Sequence, residues 1–126
     1  MRISYIFLIT ALALSTTISA ANDPTIPKSF LGEWNADISQ CGKGTDESFL
    51  LLEPHRVSFW ESTGPVIAAF LRGNELALIL ELSGEGEVWL SATKFELSLD
   101  GSTLTSETIP GEEFVRYRCP TSASAP

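Results

Sequence analysis

Between the turn signals Gly73-Asn74 and Ser83-Gly84-Glu85-Gly86 lies Glu75-Leu76-Ala77-Leu78-Ile79-Leu80-Glu81-Leu82, and the reading of this stretch decides the fold. Leucine, alanine and glutamate are good helix formers, so composition alone would favour a helix. The order argues otherwise. Leu76, Leu78, Leu80 and Leu82 recur at period two, and only eight residues separate one turn from the next. Strict alternation over so short a span is the pattern of a half-buried strand.

The same grammar continues in both directions. Strands are expected from about Phe30 to Ile38, at Phe49 to Leu52, Arg56 to Ser62, Val66 to Arg72, Glu87 to Ser98, Ser102 to Thr108 and Glu113 to Cys119. Glycine, proline and asparagine punctuate them: Gly42-Lys43-Gly44, Pro54, Thr63-Gly64-Pro65, Asp100-Gly101 and Pro110-Gly111. In the long Glu87 to Ser98 stretch, Val88, Leu90 and Ala92 share one parity while Phe95, Leu97 and Leu99 take the other, which predicts a bulge or bend. Trp34, Phe49, Phe59 and Phe70 fall on apolar phases and are read as core.

Eight consecutive strands with short connections predict an all-β fold: an antiparallel eight-stranded meander, closed or nearly closed into a small barrel, because closure removes exposed edges. The alternative is a β-sandwich of immunoglobulin type, suggested by Cys41, Trp60 and Tyr117-Arg118-Cys119. That fold needs a further strand after the second cysteine, and only a short tail follows it.

The N-terminus reads as an export signal over residues 1–21. Arg2 precedes an apolar run from Tyr5 to Leu14, and small residues lead to Ser19-Ala20-Ala21. Residues 22–29 are then an N-terminal extension, 30–119 the barrel domain, and 120–126 a small, polar, disordered tail. The expected location is periplasmic or secreted, with no stable membrane insertion once the signal is cleaved. In an oxidising compartment, two cysteines are read first as one disulfide, Cys41 to Cys119.

With 8 basic and 16 acidic residues the chain carries a formal net charge of −8. Such a chain repels nucleic-acid phosphates and anionic membranes, so no nucleic acid is expected as a partner; the charge is read first as a solvated acidic surface that favours solubility, with attraction to a basic partner as the alternative. A monomer is expected.

Gly32-Glu33-Trp34 resembles the G-x-W signature of the calycins, the lipocalin, fatty-acid-binding and avidin-type barrels. The resemblance implies that a basic residue of the last strand, Arg116 or Arg118, packs over Trp34. The middle motif of lipocalins is not recognisable, and their C-terminal helix has no counterpart. Ile26-Pro27 through Trp34, Trp60 to Val66, Leu82 to Gly86 and Tyr117-Arg118-Cys119 also resemble small exported bacterial proteins, a likeness that implies no activity.

For chemistry, the sequence offers little. His55 is the sole histidine, lies beside Pro54, and reads as a turn residue rather than a base. The pairs Glu85/Glu87 and Glu112/Glu113 flank turns without a calcium-loop signature. No catalytic residue, metal or cofactor is expected. Trp60 and Trp89 sit at odds with the apolar phase of their neighbours, close to glycine-rich turns. With Glu61 and Arg56 they form the candidate ligand- or partner-binding set, because an exposed indole supplies a large contact area with few rotors. Gly32, Trp34, Arg116, Arg118 and the two cysteines are read as structural. The expected function is a non-enzymatic exported binding module for a small apolar molecule or a protein. The alternatives are a carboxylate-dependent envelope hydrolase acting on a glycan, or an acidic inhibitor of a cationic enzyme.

Overall fold

A computed structural model describes residues 12–13 and 23–121. The expected signal segment and disordered tail lie outside the described residues, apart from Leu12, Ala13, Pro120 and Thr121. Eight antiparallel strands form a closed barrel in sequence order: β1 (Gly32–Asn35), β2 (Leu50–Leu52), β3 (Arg56–Phe59), β4 (Ser62–Arg72), β5 (Glu75–Gly84), β6 (Glu87–Leu97), β7 (Thr103–Ile109) and β8 (Glu112–Arg118). The decisive leucine stretch is β5. Its even-numbered leucines are buried inside the barrel, as period-two alternation requires.

Up-and-down connectivity gives the barrel two different ends. At one end lie the β2–β3, β4–β5 and β6–β7 turns together with residues 23–31. This end is closed. Ile26 N donates to Pro54 O at 2.8 Å, Trp34 Nε1 to Phe30 O at 2.9 Å, and Ile26, Phe30 and Trp34 are fully buried. Arg118 completes the closure: it stacks over the Trp34 ring at 4.2 Å and donates to the carbonyls of Ser29, Leu31 and Gly101. Between this plug and the middle of the barrel, Leu50, Leu52, Val57, Leu76, Leu78, Leu80, Phe95 and Leu104 fill the interior.

Cys41 and Cys119 form the disulfide, with Cα atoms 5.6 Å apart. The β1–β8 seam it spans is thin, two residue pairs, Trp34 with Arg118 and Asn35 with Tyr117. The long β1–β2 connection folds back over the outside of that seam. Gly42 N donates to the buried Glu33 carboxylate at 2.6 Å, and Cys119 N donates to Glu33 O at 2.9 Å.

Several boundaries differ from the sequence reading. The first strand stops at Asn35 rather than Ile38, because Asn35 Oδ1 accepts from Asp37 N and Asp37 Oδ1 from Ser39 N, folding the chain into a short 3-10 turn over Ile38–Gln40. The β3–β4 turn falls at Trp60-Glu61, and Thr63-Gly64-Pro65 belongs to β4. The expected break in β6 is absent: β5 and β6 pair without interruption from Glu75–Glu96 to Gly84–Glu87. Register shifts occur instead at Val66/Ala68 in β4 and at Glu107/Ile109 between β7 and β8. The shift in β4 reverses parity, so Phe70, expected in the core, is 65% exposed on the outer face opposite Ala77.

Candidate functional site at the open end of the barrel

The opposite end carries the β1–β2 loop and the β3–β4, β5–β6 and β7–β8 turns. Three hollows open there. The notch between the β3–β4 and β5–β6 turns, about 230 Å³, is lined by Trp60, Glu61, Ser62, Gly84, Glu85, Glu87 and Trp89. Its geometry follows from the register of the β4–β5 hairpin. Thr63 lies opposite Ser83, so two residues further out Glu61 and Glu85 meet on neighbouring turns. Both occupy the left-handed region, with φ of 65° and 51°, an uncommon conformation for a residue with a side chain. Gly84 makes the close approach possible, since a Cβ there would stand 2.2 Å from the Glu61 carbonyl oxygen.

Trp60 and Trp89 border this notch at 38% and 40% exposure. Trp89 lies across from the buried core residue Leu82 on the inward-facing side of β6, at the open-end margin of the core. The notch's charged groups are carboxylates, and none of them is ion-paired: among the described residues the two salt bridges run from Arg72 and Lys94 to Glu75. Indole faces beside unpaired carboxylates suit a cation, which gains from both the ring quadrupole and the charge.

Three of the four candidate binding residues therefore come together. Arg56 does not. It sits at the other end of β3, opposite Pro65, with Nε donating to Thr63 Oγ1 at 3.2 Å. Glu85 and Glu87, read from sequence as ordinary turn charges, belong to the notch. The signal that finds them is the hairpin register, available only once the β3–β4 turn is placed at Trp60-Glu61.

A second hollow, about 570 Å³, is lined by Asp46, Glu47, Ser48, Phe114 and Arg116. Arg116 is buried. Its Nε donates to Ser48 O at 2.7 Å, its Nη1 to Ser106 Oγ at 3.1 Å, and its guanidinium packs over the Phe114 ring at 4.6 Å. Burial pulls its pKa down to about 10, partly opposed by the nearby Asp46 charge. Asp46 is held below the ordinary carboxylate range chiefly by the Ser48 hydroxyl, with Asn35 Nδ2 adding a bond at 2.7 Å. Of the two arginines proposed for Trp34, Arg118 takes that place and Arg116 faces the open end.

His55 is exposed, with Nδ1 3.0 Å from Pro24 O, in the tie between the N-terminal segment and the β2–β3 turn. One group of three potential metal ligands occurs among the described residues: Glu33, Cys41 and Cys119. Its sulfurs are joined to each other, which accounts for their proximity without an ion. No helix among the described residues is long and apolar enough to cross a membrane. Compared with known proteins, the chain matches no family model, no curated protein and no solved structure.

Proposed function

We propose that this protein is a non-enzymatic binding module of the periplasm or the extracellular space, built on a calycin-like barrel, and that its open end docks a basic side chain of a protein partner. The observation that carries this reading is the notch itself: two half-exposed indoles border three carboxylates that have no cation of their own. The acidic chain supports it, since a net charge of −8 draws a basic surface toward the rim. The filled apolar centre favours the protein partner over a small apolar ligand held inside the barrel.

The test is tryptophan fluorescence of the disulfide-bonded protein, titrated with an arginine-rich peptide as probe at about 0.15 M salt, where simple charge attraction is screened. Truncating either indole, Trp60→Ala or Trp89→Ala, is expected to weaken binding about tenfold, the scale of a central aromatic anchor. Binding that neither substitution changes, or that disappears at this salt, refutes the proposal.

One observation also favours the glycan-hydrolase alternative: Glu61 and Glu85 reach the notch from facing turns, beside indoles on which a sugar ring could stack. That reading requires turnover of a cell-wall glycan that is lost in both Glu61→Gln and Glu85→Gln.

A further inference from the structure

Strand β6 is longer than its second neighbour. Glu75 to Gly84 of β5 cover one edge of β6 along nearly its whole length, but β7 pairs only with Lys94 to Leu97. Residues Glu87 to Thr93 therefore pair with β5 alone, and their other edge has no backbone partner among the described residues. The outer face of this free segment is apolar. Val88 and Leu90 are 67% and 70% exposed, and Ala92 continues the row toward Ile79. A free edge with exposed aliphatic side chains and no proline or lysine along it is a template for another strand.

We propose that this edge binds the same edge of a second copy of the chain, giving a two-fold dimer in which two barrels share a continuous sheet. The sequence of the segment selects that occupant. A two-fold axis normal to a sheet sets one residue opposite itself, and the neutral run from Val88 to Thr93 accommodates this at Leu90. Leu90 then faces Leu90 of the second copy, Val88 faces Ala92, Trp89 faces Ser91, and Glu87 faces Thr93. No like charges oppose each other, although each chain is strongly acidic. The pairing ends at Glu87 and Thr93, since β7 already occupies the edge from Lys94 onward. The segment's one charge, Glu87, lies at its end, so an antiparallel pair sets it beside neutral Thr93 while a parallel in-register pair would set Glu87 beside Glu87. The monomer expected from the sequence is then the dissociated form.

Sedimentation velocity over a range of concentrations up to about 1 mM tests this on the disulfide-bonded protein. The expected result is a concentration-dependent dimer. Leu90→Lys, which sets two ammonium groups face to face, should weaken it at least about tenfold. Leu99→Lys makes the same change at a fully exposed turn residue away from the edge and should leave it intact. Leu90 is itself on the surface, so the variant is expected to keep the wild-type circular dichroism spectrum. A purely monomeric protein at every concentration overturns the proposal, as does a dimer that survives Leu90→Lys unchanged. Dimerisation and probe binding at the notch are separable, because Trp60→Ala should affect the second and leave the first.

Discussion

Replacing both cysteines by serine tests what closes the barrel. The bond joins positions 78 residues apart. In the chain-entropy treatment, a loop of that length restricts the unfolded chain by about 4.5 kcal/mol at 25 °C. A domain of roughly 100 residues has about 5–15 kcal/mol of total stability, so the loss consumes a large share of it. The native state is affected as well, because the seam has two strand pairs and the β1–β2 loop is fastened over it by this bond. Freed from Cys119, Gly42 can leave the Glu33 carboxylate and expose a buried acid to water.

We therefore expect urea denaturation of Cys41→Ser/Cys119→Ser to give a stability about 3–5 kcal/mol below wild type. Amide exchange should accelerate first at Cys119, whose N–H bonds Glu33 O across the seam, and later in β4 and β5. A loss below about 1 kcal/mol would refute the seam argument. So would a full loss in which the Cys119 amide stays as protected as those of β5.

Arg118→Met should cost on the order of 3 kcal/mol in the same assay, because it removes three charge-assisted bonds to carbonyls and the stack on Trp34, with solvent screening reducing the sum; tryptophan emission should shift to longer wavelength as Trp34 is uncovered. Gly64→Ala should cost about 1–3 kcal/mol or more, since its Cβ would lie 1.8 Å from the Glu81 carbonyl oxygen on the adjacent strand and β4 must move away from β5, as thermal melts would report. Asp100 accepts from Ser98 Oγ, Ser102 Oγ and Ser102 N, and these bonds, the Ser102 hydroxyl foremost, lower its pKa to about 2. A depressed carboxylate stabilises the fold above its unfolded pKa of 3.8 and loses that contribution as pH falls toward 2; the difference in Tm between wild type and Asp100→Asn should hold from pH 7 to about 4 and shrink between pH 4 and 2.

The leucines of β5 were legible because every one of them obeys a single rule: even positions inward, no exceptions from Leu76 to Leu82. The pairing of Cys41 with Cys119 was legible because the chain contains no other cysteine. Trp60-Glu61 was not legible as a turn, since neither residue has a turn preference, whereas Gly64-Pro65 has one and is in a strand. Gly64 serves proximity to Glu81 rather than turning, a requirement set by the neighbouring strand and invisible to local sequence. The apparent phase change in β6 has a similar cause. The strand keeps one register throughout, but its second half buries apolar residues inside the barrel while its first half exposes them on the outer face. Periodicity records where apolar residues lie along a strand, and it assumes that they face the core.

Two arginines separated by one residue on β8 show how the ends of the barrel differ. Arg118 donates from Nε, Nη1 and Nη2 to three backbone carbonyls, and its flat face lies on Trp34. Its capacity is spent on holding the N-terminal segment against the barrel. Arg116 is more deeply buried, yet it makes two hydrogen bonds, lines the hollow at the open end and has no carboxylate within salt-bridge distance among the described residues. Across the same opening, Glu61, Glu85 and Glu87 have no cationic partner among the described residues. A fold selected for stability alone has no reason to bury a guanidinium without a carboxylate partner, or to set two glutamates side by side in left-handed turns. Both features occur at the open end, while the closed end satisfies its arginine with backbone carbonyls. Charge without a counter-ion is thus concentrated at one rim of the barrel, and that asymmetry is the physical basis of the proposal that recognition occurs there.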